Sequence, residues 1–264
     1  MSSVDKALTL LRFFSTHLPE IGLSELARLS GHDKTTTLRC LTALKRNGFL
    51  EQDPTSRKYR VGLTPIHLAQ IREHNFPVRT IIARHLEHLA TTLEETAHGT
   101  LLMGDDPVAV SVRDPDRALY VRVEPSGVLP WNATASGLAI SAFLPPERQA
   151  ALLARPDPAR FTDHTETDPD RLRAILARCR AEGLARAHAT FENEVIGTAA
   201  PILDSAAAPV GAIAVAAVAS RMTPELQGRI DRELRRAAAA ITQDLGGPPA
   251  PTAKDRTHAS DELP

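Results

Sequence analysis

Hydrophobic positions follow two different spacings along this chain, and the change from one to the other near residue 97 divides it. Up to that point apolar residues recur every three or four positions, the spacing of a helix with one buried face. Val4, Ala7, Leu8, Leu11 and Phe14 predict a first helix over Val4–Ser15. Leu26, Ala27 and Leu29 predict a short second helix, capped by Ser24 and ended by Gly31. A third restarts within three residues, with Asp33 as its expected N-cap and Thr37, Cys40, Leu41 and Leu44 as its buried face. Its opposite face carries Lys34, Thr35, Thr36, Leu38 and Arg39. Beyond Gly48 the pattern becomes that of a hairpin, in which Phe49 to Gln52 and Arg57 to Val61 flank the turn Asp53-Pro54-Thr55-Ser56. Ile66, Leu68, Ala69 and Ile71 then predict a connecting helix that Pro77 limits, and Ile81, Ile82, Leu86, Leu89 and Leu93 predict a longer one from Val78 to about Thr96.

From Ala97 the alternation is that of strands. Thr100–Met103, Val108–Val112 and Leu119–Val123, separated by Asp-rich turns, predict an antiparallel meander. Helices follow at Ser136–Leu144, after Pro145-Pro146, and from a cap at Asp168 with Pro169 in first position to Gly183. Strands return at Leu184–His188, Thr198–Leu203 and Val210–Val218, and a last amphipathic helix runs from Thr223 to about Leu245. The remaining tail is polar and Pro-rich, and is expected to be disordered over residues 248–264. The predicted fold is therefore α+β. An N-terminal winged helix-turn-helix domain (residues 1–64) is joined by a linker helix (65–77) to a second domain (78–247), in which a sheet flanked by helices can hold a small ligand.

Charge sharpens this division. Ten Lys and Arg against six Asp and Glu give Met1–Pro65 a net charge of +4, and with −1 overall the remainder carries −5. A helix pair with a short Gly-containing turn places its second helix in the DNA major groove. Arg57, Lys58 and Arg60 beside the hairpin tip suit phosphate oxygens, which supply affinity more than sequence information. Cys40 and Cys179 show no pairing or thiolate-zinc spacing, so both are expected to be reduced. The longest apolar run, Ala206–Ala219, contains Pro209 and Gly211 and falls short of the about 18 residues that would suggest a membrane span, so a cytoplasmic protein with no membrane partner is expected. No GxSxG elbow, Walker A loop or His/Cys/Asp cluster is present, which argues against an enzyme and leaves no expected catalytic residue, cofactor or metal. His85 and His88 form an i, i+3 pair that reads as a solvated helix face.

Several segments in order give the chain a family likeness: VDKALTLLRFF, LSELARLSGHDKTTTLRCLTALKRNGFLEQD and RKYRVG, then LEETA, LPWNATASGLAISAFLP, TDPDRLRAILARCRAEGLA and TAAPILDSAAAPVGAIAVAAVASRMT. From Val4 to about Thr223 the sequence resembles the IclR family of bacterial transcriptional regulators. The resemblance implies a winged helix-turn-helix, a linker helix used in dimer contacts and a GAF-like effector domain that binds a small molecule. It also implies double-stranded operator DNA as partner, bound by a dimer or dimer of dimers, with repression the commoner mode. Lys34, Thr35, Thr36 and Arg39 match the recognition-helix segment. Arg39 is either a base contact, for which a bidentate arginine–guanine pair contributes about 1 to 3 kcal/mol of discrimination, or a phosphate contact. The effector pocket of the family maps onto Ser136, Gly137, Leu138 and Ala139, with Leu138 where lysine is usual; small residues at a helix N-terminus still offer N–H groups to a carboxylate. Other pocket positions read His188 or Ala187, Gly197, and Ala214 with Ala216, where polar residues are usual. The loss of that polar set favours a larger or more apolar effector, an aromatic or acyl-bearing acid, with Trp131, Phe191 and Met103 as candidate walls or, alternatively, core residues. A second domain that only dimerises is the competing expectation.

Overall fold

The computed structural model describes residues 2–156 and 158–248, and the chain divides after Pro77 into two compact units. The first contains α1 (Ser3–Leu11), α2 (Leu23–Ser30), α3 (Lys34–Arg46), β1 (Leu50–Gln52), β2 (Tyr59–Val61) and α4 (Thr64–Asn75). Leu10, Ile21, Leu26, Cys40, Leu41, Leu44, Leu50 and Tyr59 close its core. The turn between α2 and α3 depends on Gly31, whose φ of 68° lies in the left-handed region that side chains disfavour. Asp33 then caps α3 by accepting the Thr36 N–H at 2.8 Å, as its position predicts. β1 and β2 pair antiparallel, and Tyr59 also pairs with Ile21, which ties the wing to the helical core.

Two helix boundaries differ from the pattern-based expectation. Gly22 is the N-cap of α2, without a side-chain cap bond, and Ser24 lies inside the first turn. α1 ends at Leu11 rather than Ser15, because Phe13 and Phe14 turn back to pack against the core. The connecting helix α4 is present but buries none of its residues; Ile66, Leu68 and Ile71 each keep about half their surface in solvent.

The second unit contains α5 (Val78–Leu93), β3 (Thr96–Met103), β4 (Asp106–Arg113), α6 (Ala135–Phe143), α7 (Pro146–Leu153), α8 (Pro169–Glu182), β5 (Ala185–His188), β6 (Val195–Leu203), β7 (Pro209–Val218) and α9 (Pro224–Asp244). The strands form one antiparallel sheet in the order β4-β3-β7-β6-β5. Strand alternation sorts its side chains. Ile213 and Val215 of β7 join Ala97, Ala200 and Ile202 beneath α5 and α9, whose Leu86, Leu89, Ile230 and Leu234 complete that core. Ala212 and Ala214 face the other way with Ala185, Ala187 and Ala199, and against them lies α6, backed by Leu172 and Leu176 of α8. One face is thus large and filled; the other is small and admits a close-packed helix.

Leu119–Val123, expected as the third strand of a meander, is not a strand. Its carbonyls are taken by side chains instead: Thr96 Oγ1 donates to Val121 O at 2.6 Å and Arg221 Nη1 to Leu119 O at 3.2 Å. The place beside β4 is filled further along, by a single bridge between Val108 and Val128. β3 itself begins at Thr96, four residues before the expected Thr100, because α5 ends at Leu93 and Glu94 turns the chain with φ 54°. The tail beyond residue 248 lies outside the described residues.

Because Ile213 is fully buried in the α5/α9 core, Ile213→Ala is expected to destabilise the second unit by about 2–5 kcal/mol. Urea denaturation followed by tryptophan fluorescence checks this, since the single Trp lies in that unit.

Candidate nucleic-acid interface and ligand cavity

In the first unit, burial of Thr37, Cys40, Leu41 and Leu44 leaves Lys34, Thr35, Leu38, Arg39 and Thr42 facing solvent along α3. Thr36 differs from its neighbours: its hydroxyl donates to Asp33 Oδ2 at 2.7 Å, so its proton is committed to the cap. The Thr36 N–H and O–H bonds hold the Asp33 carboxyl below its ordinary range. At the hairpin tip Asp53 accepts from the Thr55 and Ser56 amides, and Arg57 adopts φ 60°. Lys45 Nζ lies 3.4 Å from Gln52 Oε1, linking the end of α3 to the wing. Arg60 is paired with Glu51 at 3.2 Å and Glu20 at 3.8 Å. Among the described residues Lys34, Arg39, Arg57 and Lys58 are exposed with no carboxylate partner. Leu38 is exposed as its spacing predicts, and Thr42, absent from the predicted face, is exposed beside it.

In the second unit a cavity of about 270 Å³ opens between the start of α6, the small-residue face of the sheet and residues 121–129. Its floor is Ala187, Gly197, Ala214 and Ala216, and its apolar walls include Val121, Val123, Leu129, Phe191 and Val195. Phe191 is held edge-on to Phe161, with ring centroids 5.0 Å apart. Gly197 lets α6 approach: a Cβ there would stand 3.2 Å from the Ala135 Cβ. Thr134 caps α6 by accepting the Gly137 N–H at 3.1 Å, which leaves Ala135 and Ser136, both lining the cavity, with amides that find no acceptor in the helix.

Arg122, Glu124, Thr134, Thr190 and Glu192 line the cavity unpredicted, and the most deeply buried polar side chain there that reading by pattern missed, beside Ser136 which it named, is His98. It stands on β3 opposite Ala214, lines the cavity, and places Nε2 3.2 Å from Ser136 Oγ. Burial pushes its pKa down to about 4, so the ring is neutral at pH 7. Among the described residues its Nδ1 has no partner, nor has Oγ1 of Thr100, the next residue on the same face of the strand. The lining cation Arg122 pairs with Glu124 at 3.2 Å and keeps 79% of its side chain in solvent.

Of the residues predicted for the pocket, Ser136, Phe191, Gly197, Ala214 and Ala216 line the cavity. Leu138 and Ala139 are buried in the core between the sheet and α8. Gly137 packs on the backbone of Trp131, where a Cβ would meet Trp131 Cα at 2.5 Å, and Trp131 itself packs against the α6 core. Met103 lies half-exposed at the far end of β3. His188 points outward, and strand alternation gives its place at the floor to Ala187. His88 Nε2 lies 3.2 Å from Glu233, and among the described residues no group of three or more His, Cys, Asp or Glu is placed to hold a metal.

Two family models match the chain: the IclR helix-turn-helix domain over residues 3–54 and the bacterial transcriptional regulator IclR C-terminal domain over residues 72–243. The glycerol operon regulatory protein of Streptomyces coelicolor is 31% identical over 252 residues, covering 93% of this chain and 97% of its own. The transcriptional repressor IclR of Escherichia coli is 26% identical, covering 94% and 91%. A crystal structure of a putative IclR transcriptional regulator from Silicibacter sp. TM1040 is 40% identical with a TM-score of 0.90, covering 95% of this chain and 98% of that one.

The buried His98 makes folding pH-dependent in a defined direction. Its pKa is about 4 when folded against an ordinary 6.5, so the unfolded chain binds more protons between these values. This contribution is complete above pH 6.5 and is lost as pH falls toward 4, by about 3 kcal/mol in total. Urea denaturation at pH 7 and pH 4.5 is expected to show that loss in the wild type and a smaller one in His98→Gln.

Proposed function

The chain belongs to the IclR family of bacterial transcriptional regulators, and on that premise we propose that it is a repressor whose grip on operator DNA is set by a rather apolar or aromatic organic acid. Like the relatives named above, it is a regulator and not an enzyme. The observation that carries the effector reading is the cavity itself. Apolar walls surround two unfilled amides at the start of α6, a combination that suits an acid group joined to an apolar body. Repression has the support of the E. coli relative's name.

On the DNA side, Lys34, Thr35 and Arg39 are assigned to base reading, with Thr36 held back by its bond to Asp33. Arg57 and Lys58 are assigned to phosphates, and Arg60 serves more weakly because Glu51 and Glu20 already share its charge. Homo-oligomer formation is supported by α4, whose Ile66, Leu68 and Ile71 are exposed together with Phe76. Among the described residues no helix is long and apolar enough to cross a membrane, and a cytoplasmic site of action follows from the DNA partner.

Footprinting the promoter beside the gene tests the assignment. Lys34→Ala with Arg39→Ala is expected to lower operator preference by about 10- to 100-fold, with the fold unchanged, since both side chains are exposed. Arg57→Ala with Lys58→Ala is expected instead to weaken all sequences alike and to reduce the salt slope by about two. An unaltered footprint in the first variant would remove the recognition assignment. For assembly, Ile66→Glu with Ile71→Glu is expected to lower the mass measured by light scattering, and an unchanged mass places the interface elsewhere.

A further inference from the structure

We propose that His98 and Ser136 form the head-group subsite of the cavity, and that they select acids over neutral isosteres by taking up one proton as the anion enters. This rests on the reading of the cavity as the effector site. The geometry begins with the helix. The Ala135 and Ser136 amides are the donors that α6 leaves unfilled, so a carboxylate seated on them lies beside Ser136 Oγ. That hydroxyl is 3.2 Å from His98 Nε2, and the two residues keep only 1% and 7% of their surface exposed. Among the described residues neither side chain has another hydrogen bond, and His98 Nδ1 has none at all.

The charge balance then decides what the pair does. A helix N-terminus carries the equivalent of about half an elementary charge, which leaves a buried carboxylate only partly compensated. No buried cation lines the cavity among the described residues; Arg122 is largely in solvent and already paired with Glu124. His98 is the group able to supply the missing charge. Its ring is neutral because burial disfavours the cation and no charged partner offsets that, and a bound anion is such a partner. In the neutral ring Nδ1 carries the hydrogen and Nε2 accepts from the Ser136 O–H; the proton taken from solvent goes to Nε2, which then donates to Ser136 Oγ and releases the serine O–H to donate to the carboxylate. The charge is shared over the ring, and no other bond is made or broken.

Among the described residues the strands and helix around the cavity offer no other titratable group to this interior. β7 presents Ala214 and Ala216, β6 presents Gly197 and Ala199, and α6 presents Ser136. The loops contribute Arg122, Glu124 and the exposed Glu192, which are present with or without a ligand. A carboxamide of the same shape brings no charge, so it gains the helix amides but not the cationic ring. The subsite thus discriminates by charge, while the apolar walls accept a range of bodies.

Calorimetry of the full chain with benzoate and benzamide, from pH 8 to pH 6 in buffers of different ionisation enthalpy, tests this. Benzoate binding is expected to take up about half a proton to one proton, and its association constant to rise correspondingly, about three- to tenfold per pH unit, as pH falls. Benzamide is expected to bind at least about tenfold more weakly at pH 6, with no pH dependence. His98→Gln, which keeps a side chain able to bond Ser136 but not to take a proton, is expected to abolish both the proton uptake and the preference for benzoate. Ser136→Ala, which removes the bridging hydroxyl, is expected to reduce both. Benzoate binding without proton uptake, or uptake that persists in His98→Gln, overturns the subsite while leaving the effector reading intact. Silence from benzoate, cinnamate and octanoate alike at millimolar concentration overturns the effector reading and this subsite with it.

Discussion

Everything in the second unit depends on β7 being large on one side and small on the other. A strand presents successive side chains to opposite faces, so PVGAIAVAAV offers Ile213 and Val215 to α5 and α9, and Ala212, Ala214 and Ala216 to α6. The large face packs densely and fixes the sheet. On the small face α6 comes close at its centre, but at its N-terminal end Gly197, Ala187 and Ala216 have nothing bulky to put beneath it. The cavity is the space those missing side chains leave. A leucine at any of these positions would fill it from below while leaving the hydrophobic count of the core higher, so core packing alone does not explain the choice.

That apolar floor makes the polar groups above it unusually consequential. In an interior lined by alanine and valine, electrostatic terms are screened less than in water, and an unpaired donor or acceptor is correspondingly expensive. Three polar features converge there: two amides of α6, the Ser136 hydroxyl and the His98 ring. None is matched by a buried counter-charge. A site with unfilled donors, no fixed cation and a neutral imidazole is prepared for a ligand that brings its own negative charge.

Much of this was legible in the sequence, and the parts that were not share a cause. Helix caps are local chemistry, so Asp33 and Asp168 stand where the residue types put them, although Gly22 takes the capping place expected of Ser24. Periodicity gave the buried face of α3, and apolar runs bounded by turn residues gave β6 and β7. What local pattern does not carry is parity, the choice of which alternate residue faces which layer. His98 precedes the expected start of its strand at Thr100, and only a strand beginning at Thr96 places it on the α6 face with Thr100. The same parity decides for Ala187 over His188 at the floor. Leu119–Val123 has the composition of a strand, but its carbonyls are claimed by Thr96 and Arg221, residues distant in sequence. On α6 the helix turns so quickly that only its first two residues reach the cavity, and Leu138 and Ala139 fall into the core.

The two units also use the same feature, the positive end of a helix, in opposite ways. α3 begins with an anionic cap: Asp33 sits on the Thr36 amide and takes the Thr36 hydroxyl as well, so the helix end is already neutralised. Attraction of a phosphate or base to that end therefore has to come from side chains, and Lys34 and Arg39 are the exposed cations in place to provide it. α6 begins with a neutral cap. Thr134 accepts the Gly137 amide and donates to Pro130 O, adding no charge and leaving two amides open. Its positive end is thus kept for something that arrives from outside. The identity of one capping residue, aspartate in the first case and threonine in the second, separates a helix that must recruit cations from one that can receive an anion.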